Sequence, residues 1–330
     1  MHDLLLELYF NITSSWQARA PARLRRNRLE TRSYNARMML RARGGAAVAA
    51  VAVAASLAMA QGGRGRGPGM SAEARQATQL DLAGQGEQAR ALWQMEIAAA
   101  ATPAAKAAAE RNLAMSWAFS GNCAKTVEYE NRVIAYWQTR EAAEPANAFY
   151  QQGEMADEAA RVCIDLGDLD AAAEMYQKGH SLGLKEPNLP AGWKDLWEYR
   201  YEHALARLAA RRGQHAEAER HVAAARKILD QMQADDAQLY QQQIGFFPYL
   251  TGYVAYYDGD YQTALADFQK DTRHDPFITA MIGMTYEKQG DKAQAIAAYT
   301  EAAKASGHNP PAAFARPFAR KKLAELGAAR

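Results

Sequence analysis

"GDYQTALADFQK" at residues 259–270 decides the fold, because the chain writes it twice more, as "GDLDAAAEMYQK" at 167–178 and "GDKAQAIAAYTE" at 290–301. A glycine followed five positions later by a small residue recurs as Gly84 with Ala89, Gly121 with Thr126, Gly167 with Ala172, Gly213 with Ala218, Gly259 with Ala264 and Gly290 with Ala295. Seven positions before each glycine stand Ala77, Ala114, Ala160, Ala206, Gly252 and Gly283. Nine after it come Trp93, Tyr176, Phe268 and Tyr299; the second unit has Glu130 there with Tyr129 one place early, and the fourth has Val222. Three columns in one register mark a supersecondary unit written several times over.

Each column has a physical reason. Two antiparallel helices approach closely where small residues face each other, so the small residue before the turn and the one after it mark a crossing point. The glycine ends the first helix in a backbone conformation that other residues resist. The aromatic, one helical turn further on, fills the wedge that opens away from the crossing. The expectation is an all-α chain of about six antiparallel helical hairpins.

These residues resemble the tetratricopeptide repeat family, most closely in "ITAMIGMTYEKQGDKAQAIAAYTEA" at 278–302 and in "GYVAYYDGDYQTALADFQKDTRHDP" at 252–276, where Pro276 falls at the family's proline. The resemblance spans about 71–310 and implies a right-handed superhelical solenoid, closed by a C-terminal capping helix over 311–330. It is looser at 107–140, where Thr126 and Glu130 depart from the pattern. The family unit is shorter than the spacing of 46 from Gly121 to Gly167, to Gly213 and to Gly259. The central helices are therefore expected to be longer, by about 18 Å shared between the two arms of a hairpin. The stripe Trp193, Trp197, Tyr201, Leu205, Ala209 reads as a buried face of one such arm.

The resemblance also implies a concave groove lined by the first helix of each hairpin. Positions two, three, six and ten before the turn glycine face it, which here gives Arg211, Ala210, Arg207 and His203 before Gly213, and Tyr257, Tyr256, Tyr253 and Tyr249 before Gly259. Arg161 is the corresponding residue six before Gly167. A basic wall facing a tyrosine wall suits an extended protein or peptide partner with acidic groups or a free carboxyl end. The other reading of the same residues has the tyrosines packed between neighbouring helices and the arginines paired with acids such as Glu202 or Glu217.

Charge and targeting narrow the setting. The formal charge is +2, but the first 60 residues hold nine Arg and three acids, leaving 30 of 39 basic and 34 of 37 acidic residues from Gln61 onward. A mildly acidic body without a Lys/Arg cluster argues against nucleic-acid binding. Residues 38–60 have the layout of a secretory signal peptide: Arg41 and Arg43, an apolar run from Ala46 to Ala58, and Ala58-Met59-Ala60 before cleavage. That run is short against the roughly 20 helical residues a bilayer needs, so no stable membrane anchor is expected after cleavage. Residues 1–37 precede the signal without belonging to it, which suggests translation from Met38 or Met39. Residues 61–70 read as a glycine-rich flexible tether. The setting is then periplasmic or extracellular.

Cys123 lies two residues past Gly121 and Cys163 four before Gly167, at ends that antiparallel neighbours bring side by side. A disulfide is expected, with two unrelated thiols as the other possibility. "GHSLG" at 179–183 matches the nucleophile elbow of α/β hydrolases, but it follows a helix and no strand leads into it. The seven histidines are scattered over separate elements without metal-ligand spacing, and neither metal nor cofactor is expected. The function expected is an exported, non-enzymatic scaffold for protein or peptide partners. A self-associating structural solenoid and a hydrolase using Ser181 are the alternatives.

Overall fold

The computed structural model describes residues 70–328. The upstream segment 1–37, the export signal 38–60 and the tether up to residue 69 lie outside the described residues. Among those described there is no strand, and the chain is an all-α helical solenoid. Six hairpins follow one another: α1 (Ala72–Ala83) with α2 (Gly86–Ala99), α3 (Pro103–Phe119) with α4 (Cys123–Gln138), and α5 (Pro145–Leu166) with α6 (Leu169–Gly183). Then come α7 (Ala191–Arg211) with α8 (His215–Asp235), α10 (Phe247–Asp258) with α11 (Tyr261–Phe268), and α12 (Pro276–Gln289) with α13 (Lys292–Ala302). A short α9 (Ala237–Gln243) and a 3-10 turn lead into α10, and α14 (Pro310–Glu325) ends the array. The central arms α5, α7 and α8 run 22, 21 and 21 residues.

The repeated Gly-Asp does two jobs in two residues. All six turn glycines adopt positive φ, between 69° and 91°. At Gly167, Gly259 and Gly290 the following aspartate donates its backbone N–H back to the preceding helix, as in Asp260 N to Ala255 O at 2.9 Å, which satisfies a carbonyl that the helix end leaves free. The same aspartates cap the next helix: the side chains of Asp168, Asp260 and Asp291 accept from the N–H groups of Ala171, Thr263 and Gln294.

The small-residue columns are fully buried, Ala77, Ala89, Ala160, Ala172, Ala206, Ala218, Ala264 and Ala295 all at 0% exposure. Where the column before the turn is glycine, it seats the aromatic of its own hairpin. A Cβ on Gly283 would stand 2.6 Å from Tyr299 Cε1, and one on Gly252 would stand 2.9 Å from Phe268 Cδ1. The second hairpin solves its crossing differently. Thr126 Oγ1 bonds Asn122 O at 2.9 Å, and Glu130, in the aromatic column, is wholly buried. Burial and the neighbouring Glu158 push the Glu130 carboxyl far above the usual carboxylate range, so it sits there as the neutral acid.

Cys123 and Cys163 form a disulfide that joins the first turn of α4 to the last turn of α5, with Cα atoms 4.9 Å apart. Helix α14 caps the last hairpin, with Phe318 edge-on to Tyr299 at 5.9 Å and Phe314 against Phe277 at 5.1 Å. Lys322 donates to Glu287 at 2.9 Å. The cap also reaches back to the start of the array. Arg316 and Arg320 both donate to Leu82 O at the end of α1, at 2.6 and 2.9 Å, and Ala313 packs with Ala114, Met115, Ala118 and Val162 of α3 and α5. Successive hairpins each turn a little relative to the last, and six such turns bring the two ends within contact.

Candidate partner-binding wall

Helices α5, α7 and α10 carry the residues singled out from the sequence, and these residues meet one another. Arg207 Nη1 donates to Tyr249 Oη at 3.0 Å and Nη2 to Tyr176 Oη at 2.7 Å, so one guanidinium ties three helices. His203 lies 5.3 Å from the Tyr249 ring. Tyr253 and Tyr256 stand 4.9 and 5.1 Å from Tyr257. Arg211 sits over Tyr257 at 5.3 Å, and Arg161 over Phe277 at 5.3 Å. A guanidinium on an aromatic face keeps its charge while losing water, because the ring's electron density supports it.

Their exposure divides them into two sets. His203, Arg207, Tyr249, Tyr253 and Tyr256 are buried, and the three tyrosines belong to one apolar cluster with Phe268, Phe277, Ile278 and Met281. Arg161, Arg211 and Tyr257 are half-buried and form the side of the wall nearest solvent. Tyr249, Tyr253 and Tyr256 therefore pack between helices, as in the second of the two readings of these residues, while Arg161, Arg211 and Tyr257 stay half-buried. The arginines do not take the acids suggested for them. Glu202 and Glu217 pair instead with His221, at 2.5 and 3.1 Å, while Arg220 also holds Glu217.

Two acids complete the wall, and sequence reading missed both. Asp165 lies one helical turn beyond Arg161, with its Oδ2 4.0 Å from Arg161 Nε, and Asp275, which caps α12, has Oδ2 3.8 Å from Arg161 Nη2. Both distances exceed a hydrogen bond. Arg161 Nε and Nη2 and both carboxyl oxygens of Asp165 are buried with no hydrogen-bond partner among the described residues. The i, i+4 spacing of Arg161 and Asp165 was the available signal.

Electrostatics make this centre a mixed one. Burial raises the Asp165 carboxyl to about 7, against the pull of Arg161, Arg207 and Arg211. Asp157, one turn before Arg161, is raised to about 8 by burial, with Arg200 opposing. His203 is held well below its ordinary value by burial and by the cations Arg207 and Arg161, so its ring is neutral. The centre offers guanidinium donors and a carboxyl poised between its two forms.

The hydrolase-like GHSLG is the last turn of α6. A side chain on Gly183 would collide with the Trp197 ring and one on Gly179 with the Asp157 carboxylate, so both glycines are accounted for by the close approach of helices, and Ser181 is exposed. Among the described residues no group of three His, Cys, Asp or Glu is arranged to hold a metal ion, and no helix is long and apolar enough to cross a membrane.

Residues 280–309 match the family model described as tetratricopeptide repeat, over the hairpin that carries the clearest copy of the three columns. No curated protein matches the chain.

Proposed function

We propose that this tetratricopeptide-repeat chain is an exported, non-enzymatic scaffold that holds a protein or peptide partner against the wall formed by α5, α7 and α10. The repeat itself supports protein–protein interaction as the general role. The single observation that carries the finer reading is Arg161, whose Nε and Nη2 make no hydrogen bond and lie 4.0 and 3.8 Å from the carboxyl oxygens of Asp165 and Asp275. Those two N–H groups form the side-on fork that a carboxylate accepts in a bidentate pair. Arg211 and Tyr257 extend the same half-buried edge with a second guanidinium and a rigid phenol, so an extended segment bearing acidic groups or a free carboxyl end fits it.

Export is supported by the Cys123–Cys163 disulfide, a bond that persists in oxidising compartments, together with the signal-like residues 38–60. The test is affinity capture. The chain from Gln61 onward is immobilised beside its Arg161→Gln/Arg211→Glu counterpart, and both are exposed to envelope and secreted proteins of the host. A partner retained by the first and lost by the second supports the wall. Equal retention by both places the binding surface elsewhere.

A further inference from the structure

Trp93, Tyr176, Phe268 and Tyr299 fill the third column of their hairpins with a ring, and the second hairpin fills it with Glu130. Cys123, Thr126 and Glu130 follow one another at spacings of three and four on the buried face of α4. Glu130 has no exposed surface, and neither of its carboxyl oxygens has a hydrogen-bond partner among the described residues. A buried carboxylate without a donor is strongly unfavourable, so the closed structure requires the proton on Glu130.

The charged groups around it offer no free partner. Arg111 of α3 is committed to Glu158 of α5, through Nε to Oε2 at 2.9 Å and through Nη2 to Oε1. Burial is the largest influence raising the Glu130 carboxyl, Glu158 adds to it and Arg111 opposes. Glu154, also on α5, adds to the negative field around Arg111, and Lys178 of α6 donates to Asn131 at 2.6 Å. On ionising, Glu130 must either draw Arg111 away from Glu158, which strands a second buried carboxylate, or reach water by moving α4 off α5.

The disulfide lies on that same contact. Cys123 stands seven residues before Glu130, about 10 Å along α4, and Cys163 stands five after Glu158 on the antiparallel α5. Cys163 is wholly buried and Cys123 is 8% exposed, so a reductant reaches the sulfurs only through a local opening. Motion that brings water to Glu130 separates the two helices that shield them. We infer that Glu130 is a proton-operated latch on the Cys123–Cys163 disulfide: while its carboxyl is protonated α4 stays closed on α5, and loss of the proton opens the bond to reduction.

Reduction kinetics test the latch. The parent, Glu130→Gln and Glu130→Met are each exposed to tris(2-carboxyethyl)phosphine, and the release of thiols is timed wherever circular dichroism shows native helix content. The phosphine splits the S–S bond into two thiols and leaves as its oxide, with the oxygen supplied by water. Any pH dependence of the reagent is common to all three proteins, so the ratio of parent rate to variant rate reports Glu130. That ratio is expected to rise about tenfold from about pH 5.5 to about pH 9.5, because only the parent has an acid to ionise at this position. Glu130→Met gives the same readout without the unpaired amide that glutamine leaves in the column. A ratio that stays constant, with any rise shared by parent and variants, assigns the opening to other acids such as Asp157 and Asp165 and overturns the latch.

Discussion

His308 Nε2 and Asp81 Oδ2 stand 2.9 Å apart across 227 positions of sequence. The same carboxylate accepts from Ser116 Oγ at 2.6 Å and Trp93 Nε1 at 3.0 Å, so residues from four segments meet on one acid. His308 also stacks on Phe119 at 5.4 Å. Replacing it with alanine removes its hydrogen bonds to Asp81 and Asn112 and its ring contacts with Phe119 and Trp93, and is expected to cost about 1–3 kcal/mol. Asp81→Ala should cost more, because two buried donors then lose their acceptor. Urea unfolding of both variants checks the order.

The disulfide closes a loop of 40 residues. In the chain-entropy account such a loop stabilises by about 4 kcal/mol, so Cys123→Ala/Cys163→Ala should unfold at clearly lower denaturant concentration with its helix content at 25 °C retained. Circular dichroism gives the helix content. A thiol assay on the unfolded, unreduced parent is expected to find neither cysteine free.

Two glycines of one hairpin should fail for different reasons. Gly290 has φ 81° with open space around the missing Cβ, so Gly290→Ala costs about 1–2 kcal/mol of backbone strain, and Gly290→Asn less. Gly283 lies inside α12, where an added Cβ meets the Tyr299 ring; Gly283→Ala should cost about 1–3 kcal/mol by overpacking. Asparagine is worse than alanine there. Melting temperatures of the four variants decide whether the two glycine columns have the separate causes assigned to them.

These columns were legible in the sequence because each is enforced locally: only glycine takes the turn conformation easily, and only small residues let two helices cross closely. Cys123 and Cys163 were legible for the same reason, each sitting a fixed distance from a turn glycine. Contact between His308 and Asp81 was not. It depends on a rotation accumulated over six hairpins, to which every interface adds a little and no single residue commits. The wall was half legible. Arg161, Arg207 and the tyrosines do meet, but the burial of Tyr249, Tyr253 and Tyr256 depends on Phe268, Phe277, Ile278 and Met281 of the neighbouring helices, which no spacing along α10 announces. Asp165 gave only its spacing from Arg161, a pattern that many exposed helices share.

Asp165 sets a pH dependence whose sign follows from its raised carboxyl. In the unfolded chain it titrates near 3.8, in the folded chain near 7, so between those values the native state keeps a proton that the unfolded state has released. Stability therefore falls as pH rises through that window and levels off above it, by an amount on the order of 2–4 kcal/mol for this group. Asp157 acts in the same direction, with a folded value of about 8. Asp165→Asn should flatten part of the slope and leave the share due to Asp157. Unfolding midpoints at pH 4.5 and 7.5 for parent and variant measure the difference.

Arg207 and Arg211 are neighbours on α7 and should behave oppositely. Arg207 is 5% exposed, and its two terminal nitrogens hold Tyr249 and Tyr176. Lysine has one donor centre and cannot span both hydroxyls, so Arg207→Lys leaves a buried hydroxyl unpaired and is expected to cost about 1–3 kcal/mol. Pairing Arg207→Ala with Tyr253→Ala should compromise the fold outright, since Tyr253 is wholly buried, and lost binding in that double variant would report unfolding. Arg211 is half-buried over Tyr257 at the edge of the wall. Arg211→Glu should leave the melting temperature within a few degrees of the parent while reducing retention of an acidic partner, because it reverses charge where an approaching carboxylate first meets the wall. Thermal melts and partner capture on the same protein samples separate the two arginines.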